Sequence, residues 1–457
     1  FESLPPEKTA AYYQYLVDSD ALLKETIIYF QTQVRPTLTS GGGVEFGILP
    51  YWMANPDKIP DHDKIPDWVL TILKNLVKWN LIPPPTITDA EYEALLAAIS
   101  AGIAFAYDGT MFGEGPYQQL NSNWLQAVVN DWLTDLYGKA GFGGAEPTPL
   151  NLPSASGGSI KIAIIGDWGT GKTDALDVIN AAMAQKPDCL IHLGDVYYTG
   201  TPDKFKEGIY WAMNNENNNL IDVWSPQQAT GTSFTLNSNH EMYCGARGYF
   251  DDALGSSIFS SQHGKSYFLL QNSDWQIFGL DSAYNSPAVL YMKGALNSEQ
   301  IKYIQKYYDP GKKTIVMCHH NAYDVTGETI VMHDTQSLWG DVLNALGGNA
   351  PDYWYWGHIH DGVIYKPLTV KGKDCHTRCV GHSAMPYGAP WGLTKPGSTP
   401  PFGPSDNIST VEFFADTPIN PKAFRGQVKN GFMLIALDGK TIKEEMYDSD
   451  GTCTWSS

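Results

Sequence analysis

The sequence predicts an α/β sandwich behind a helical N-terminal region. Three observations point to it. A Gly-, Pro- and Ser-rich stretch, GFGGAEPTPLNLPSASGGS, separates a helix-patterned part of the chain from a strand-patterned one. Just beyond it, SIKIAIIGD and DCLIHLGD are apolar runs of strand length flanking TDALDVINAAMAQK, which carries a helical pattern. Further strand-like runs then alternate with helical interludes and added hairpins, as layers of helix on sheet require. The expected organisation is a helical region over 1–142, a linker over 143–159 and the α/β unit over 160–457.

In chain order, PPEKTAAYYQYLVDSDALLKETIIYF starts with prolines and spaces its apolar residues as a helix does. IPDWVLTILKNLVKWN repeats the pattern. Thr88-Asp89-Ala90-Glu91 forms a capping box ahead of EYEALLAAISAGIAFA. SNWLQAVVNDWLTDLYGK adds another helix, with Trp124, Val128 and Leu136 among its spaced apolar residues. No catalytic constellation falls in this region, so its expected role is to pack on the main unit and shape an entrance to it. After the βαβ pattern, TSFTLNSNHE, KSYFLLQN, WQIFGLDS, KTIVMCHH, DYWYWGHIH and GFMLIALDGKTIKEEMY read as strands. NSEQIKYIQKYYD and TQSLWGDVLNALGG read as helices, and MNNENNN and LTKPGSTPPFGPSD as exposed loops.

The chain has 457 residues and 43% apolar content, enough for an ordinary core, and no window nears the ~20 apolar residues of a membrane span. A formal charge of −19 argues against a nucleic-acid or anionic-membrane surface, because phosphate backbones would be repelled. Only four arginines occur: Arg35, Arg247, Arg378 and Arg425. A phosphorylated small molecule remains a suitable partner if local cations outweigh the surface, and metal ions would do that. The six cysteines are scattered and form no C-x-x-C pair; Cys375 and Cys379 are either a bridge across a loop or two free thiols. The chain opens at Phe1, so any leader is expected to be already missing, and secretion is favoured over the cytoplasm. Asn407-Ile408-Ser409 is a glycosylation triplet in a loop-like stretch.

What each strand ends in carries the function. The ends are Gly166-Asp167-Trp168-Gly169, Gly194-Asp195-Val196-Tyr197-Tyr198, Asn239-His240-Glu241, His319-His320-Asn321 and Gly357-His358-Ile359-His360. Loops at the carboxyl ends of strands in an α/β sheet converge on one crevice. Two aspartates, an asparagine and at least three histidines meeting there form a mixed oxygen and nitrogen set suited to transition metals. Six or seven ligands exceed one four-coordinate site and suit two metals ~3.5–4 Å apart that share a carboxylate. The first block is also ambiguous: GDWGTGKT, residues 166 to 173, fits the phosphate-binding loop pattern G-x-x-x-x-G-K-[ST]. That alternative leaves NHE, HH and GHIH without a task, and no N-K-x-D block accompanies it. A catalytically idle scaffold is the other rival, and nothing in the sequence favours it.

The ordered blocks resemble the calcineurin-like metallophosphoesterase superfamily over about residues 160 to 450. Gly169 in the first block and Tyr198 after the second aspartate resemble its purple acid phosphatase type. The resemblance implies a four-layer β-sandwich flanked by helices, with Asp167, Tyr198 and His360 on one metal and Asn239, His319 and His358 on the other. Asp195 would bridge them. His240 would contact the phosphate and protonate the leaving oxygen, with Glu241 orienting its imidazole, and Arg247 and His320 would contact substrate. Tyr198 as phenolate would favour Fe³⁺, beside Zn²⁺, Mn²⁺ or Fe²⁺. The cations would neutralise the phosphate and lower the pKa of a bound water, giving hydrolysis of phosphate esters, monoesters favoured and diesters also suitable. Two positions depart from the family pattern, Ser238 in place of glycine and Asn321 in place of proline; both bear on substrate contacts more than on metal binding.

Overall fold

A computed structural model of the chain describes residues 138–142, 146–153, 158–202, 218–224, 232–288, 291–324, 327–333, 335–385, 410–419 and 428–457, with the single positions 117, 130, 131, 134 and 216. Asn130, Asp131 and Thr134 are helical. The other helices expected before residue 142, the Pro-rich loop and the Asn407 triplet lie outside the described residues; the Asn-rich stretch, expected as an exposed loop, runs into a short helix, Asn218–Ile221.

Two sheets form the frame. The first has the strand order β15-β14-β13-β2-β3-β4, from β2 (Ile160–Ile165), β3 (Cys189–His192), β4 (Ser233–Thr235), β13 (Gly431–Asp438), β14 (Thr441–Asp448) and β15 (Cys453–Ser456). Strands β2, β3 and β4 are parallel neighbours, and β13 closes antiparallel on β2. The second sheet runs β1-β5-β6-β7-β8-β11-β9-β12. Its strands are β1 (Leu150–Asn151), β5 (Phe268–Gln271), β6 (Trp275–Leu280), β7 (Lys313–Cys318), β8 (Tyr353–Trp356), β9 (Gly362–Tyr365), β11 (Lys373–Val380) and β12 (Val411–Phe414), with β10 (Leu368–Val370) paired to β11. The stretch expected as a linker thus contributes an edge strand: Leu150 pairs with Leu270, and Leu152 is buried in the core between the sheets.

Alternation sets the layers, because successive strand side chains face opposite ways. Ile162 and Ile164 of β2, Ile191 of β3, Phe234 of β4 and Met433 and Ile435 of β13 pack against Phe268, Leu270, Ile277, Ile315, Met317 and Tyr355 of the second sheet. Helix α1 (Thr173–Ala184) buries Ala175, Val178, Ile179 and Ala182 and lies near β13 of the first sheet. On the second sheet's outer face, α2 (Ser298–Tyr307) and α3 (Leu338–Ala345) place Tyr303, Ile304, Leu338, Trp339 and Val342 against Phe278, Leu280, Val316, Trp354 and Trp356. Asn297 and Ser337 cap those helices through hydrogen bonds from the Gln300 and Gly340 amides, which would otherwise lack a partner. The four-layer α/β sandwich is therefore present, helices outside and two sheets between. No helix among the described residues is long and apolar enough to cross a membrane.

Cys375 and Cys379 are free thiols on β11, like every other cysteine. The two sheets are also tied by charge. Arg378 on β11 donates through Nε to Glu444 Oε1 (2.9 Å) and through a terminal nitrogen to Oε2 (2.8 Å), and Tyr355 donates to Oε1 (2.7 Å). Both ion-pair partners are buried.

Candidate metal centre

Each polar block follows a strand: Asp167 after β2, Asp195 after β3, Asn239 after β4, His319 after β7, and His358 and His360 after β8. Because β2, β3 and β4 run parallel, and β7 and β8 do likewise, each set leaves its sheet at one end. The sets meet there. Asp167, Asp195 and His319 each offer an atom within 4.8 Å of the others, and all are buried. Asp167, Asp195 and His358 hold left-handed backbone, with φ of 56°, 77° and 67°. Such angles cost about 1–3 kcal/mol each and concentrate at functional sites.

Hydrogen bonds fix the orientation of most of the donor groups. His319 Nδ1 lies 3.0 Å from the Leu193 carbonyl, an acceptor only, so Nδ1 carries the proton. Its Nε2 then turns toward Asn239 Oδ1 at 2.7 Å and Asp195 Oδ1 at 3.2 Å. Asn239 Nδ2 donates to the Tyr243 hydroxyl (3.0 Å), which sets Oδ1 on the cluster side. His358 Nδ1 joins, 3.1 Å from Asn239 Oδ1 and 3.2 Å from His319 Nε2. The His358 amide donates to both Asp167 oxygens (3.0 and 2.9 Å), an approach that needs Gly357, where a Cβ would collide with Asp167 Oδ2. A second group forms on the other Asp195 oxygen. The Tyr197 hydroxyl donates to Oδ2 (2.8 Å), and His360 Nε2 lies 3.0 Å from that hydroxyl and 3.4 Å from Asp167 Oδ1.

These atoms fit cations. In the first group a neutral His319 brings its lone pair against two oxygen acceptors with no proton between them, a repulsion that a metal ion would turn into coordination. Imidazole nitrogens, carboxylates and an amide oxygen are the donor types that transition metals take.

Tyr198 and several expected contacts lie elsewhere than the sequence suggested. The Tyr198 hydroxyl accepts the Tyr117 amide (2.9 Å), and the phenol that reaches Asp195 and His360 belongs to Tyr197. Glu241 does not orient the His240 imidazole: His240 Nδ1 donates to the Tyr198 carbonyl (2.7 Å). Glu241 instead meets the Ser238 hydroxyl, which also meets Asp195 Oδ1. Burial and the Asp195 charge push the Glu241 carboxyl up to about 8, so near neutral pH it can donate to Ser238 and leave the serine proton for Asp195. Burial alone would raise the Asp195 carboxyl, but positive charge on His240, and on His319 and His360 when they are protonated, outweighs it and holds it well below the usual range. Both His320 nitrogens are engaged, Nδ1 by Ser282 (2.8 Å) and Nε2 by the Tyr291 carbonyl (2.6 Å). Its ring backs His358 at 4.7 Å between centroids, a supporting place and not a substrate-facing one. Arg247 donates to the Gly138 carbonyl (3.1 Å).

Ser238 and Tyr197 were not among the sequence-derived site residues. The serine-for-glycine departure was the available signal for Ser238, which also caps the helical turn Asn239–Met242 by accepting the His240 amide (3.1 Å).

As a phosphate cradle the loop 166–173 would be short of donors. Such a cradle needs free amides, but those of Gly166, Asp167, Gly169, Thr170 and Lys172 donate to Ser383, Gly194, Asp195, Trp168 and Thr170 respectively. Trp168 is buried and donates from Nε1 to the Ala175 carbonyl (2.8 Å), pinning the loop to α1.

Residues 160–362 match the family model of the calcineurin-like phosphoesterases. No curated protein matches the chain. Among solved structures the chain is similar to a purple acid phosphatase from yellow lupin (Lupinus luteus) seeds, at 13% identity and a TM-score of 0.43, over 68% of this chain and 54% of that one. It thus spans about half the length of that phosphatase. It is also similar to the anchor in the inner membrane complex of Plasmodium, at 13% identity and a TM-score of 0.39, over 65% of this chain and 88% of that one.

Proposed function

We propose that the protein is a phosphoesterase working with two metal ions, of the purple acid phosphatase type, on phosphorylated small molecules. The observation that carries the reading is Asp195. Its Oδ1 faces His319 and its Oδ2 faces Tyr197 and His360, so one carboxylate serves two donor groups. One ion would be held by Asp167, Asp195, His360 and Tyr197, the other by Asp195, Asn239, His319 and His358. Tyr197 takes the place expected for Tyr198, and a phenol there favours Fe³⁺, beside Zn²⁺, Mn²⁺ or Fe²⁺.

Bound cations would supply charge neutralisation for the phosphate and a lowered pKa for a water. The protein's own residues do the rest. The Tyr198 carbonyl fixes the proton on His240 Nδ1, leaving Nε2 to face a leaving-group oxygen and deliver a proton to it. Asp195 Oδ2, 3.7 Å from Nε2, steadies the charged ring. Ser238 and Glu241 hold Asp195 from behind. The test combines metal analysis of the purified protein with a panel of phosphate mono- and diesters. Two equivalents of metal and metal-dependent hydrolysis are expected; full activity after complete metal removal would overturn the reading.

A further inference from the structure

Tyr117 lies outside the family-matched segment, yet it touches both loops that carry the aspartates. Its hydroxyl donates to the Thr170 carbonyl (2.7 Å), three residues past Asp167. Its backbone N–H donates to the Tyr198 hydroxyl (2.9 Å), three residues past Asp195. Its ring stacks on Tyr198 with centroids 4.6 Å apart and lies 5.9 Å from the Tyr197 ring. With Met385 the three tyrosines form a small buried cluster of their own. Asn219 completes the junction, donating to the Tyr197 carbonyl (2.9 Å) and lying 3.4 Å from the Tyr117 hydroxyl.

The sheet fixes the roots of the two loops, since β2 and β3 are parallel neighbours, and an isolated bridge carries the pairing on to Gly169 and Val196. Three backbone bonds join them near the carboxylates, from the Asp167 amide to the Gly194 carbonyl (3.1 Å), the Gly169 amide to the Asp195 carbonyl (2.9 Å) and the Tyr197 amide to the Gly169 carbonyl (3.0 Å), and Tyr117 adds the tie between the next residues, Thr170 and Tyr198. A metal pair needs its oxygens placed to within about 0.5 Å, and outer contacts commonly set that precision. We infer that Tyr117 is a positioning residue for the metal centre: it braces the Asp167 loop against the Asp195 loop and, through Tyr198 and Asn219, holds Tyr197 with its phenol toward the carboxylates. The inference rests on the two-metal reading above.

The test uses the full chain as wild type, Tyr117→Phe and Tyr117→Ala. Three quantities are measured: the rate of zinc release to a competing chelator, kcat and KM for p-nitrophenyl phosphate, and the melting temperature of the metal-stripped protein. Tyr117→Phe keeps the ring and loses only the hydroxyl bonds. It is expected to release zinc about 10-fold faster, with kcat lowered, KM near the wild-type value and the metal-free melting temperature unchanged. Tyr117→Ala is expected to exceed it in both effects; should that variant not fold, Tyr117→Phe decides alone. Zinc release and kcat at wild-type values in Tyr117→Phe would overturn the brace while leaving the two-metal reading intact. A wild type that holds no metal would overturn both.

Discussion

At the scale of single residues, the adjacent tyrosines Tyr197 and Tyr198 separate most sharply. The Tyr197 hydroxyl lies against Asp195 and His360, so in iron-loaded protein Tyr197→Phe should abolish the violet phenolate-to-iron band. Tyr198→Phe should keep it. Absorption spectra of the two variants decide between them, and bleaching by Tyr198→Phe alone would return the ligand to the position expected from the sequence. His240 gives a second contrast. With Nδ1 held by the Tyr198 carbonyl it is placed for proton delivery, so His240→Ala should depress turnover by ~10²-fold or more at near-normal metal content. Equal loss of metal and activity would make it a ligand. Removing the shared carboxylate in Asp195→Ala should strip both metals, read by elemental analysis.

Elements decide how well those residues are held. The turn after β8 brings the His358 amide onto both Asp167 oxygens only because Gly357 has no side chain. Gly357→Ala should therefore push the β2 and β8 loops apart and lower metal affinity, measured by calorimetric titration of the stripped protein; an unchanged affinity would show that the loops move freely. Strands β11 and β14 supply the other device. Arg378 and Glu444 form a buried pair joined at two points between the sheets. Glu444→Gln leaves the guanidinium with half its partner, at a cost of about 3–5 kcal/mol. The double replacement Arg378→Met with Glu444→Leu should recover most of that loss in urea unfolding. A Glu444→Gln variant as stable as wild type would mean that water reaches the pair.

Over the whole molecule, two sheets converge their strand ends on a buried set of like-charged and lone-pair-bearing atoms, so metal binding and fold stability are linked. An ion at ~100 times its dissociation constant adds about 2.7 kcal/mol. Stripping it should lower the melting temperature by about 3–4 °C, and re-addition should restore it; an unchanged melting temperature would speak against a native metal site. The sequence by itself determined the layers and the order of polar residues at the strand ends, because apolar runs and their terminating Gly-Asp, Asn-His and Gly-His pairs are local patterns. Hence the gathering of Asp167, Asp195, Asn239, His319, His358 and His360 at one end of the sheets was legible. It did not determine which of two adjacent tyrosines faces the centre, nor that a carbonyl and not Glu241 orients His240. It did not determine that Ser282 and Tyr291 occupy His320, that Gly138 takes Arg247, or that Tyr117 reaches two loops far along the chain. Those outcomes depend on loop backbone angles and on partners tens of residues away, and only the closed tertiary structure sets either one.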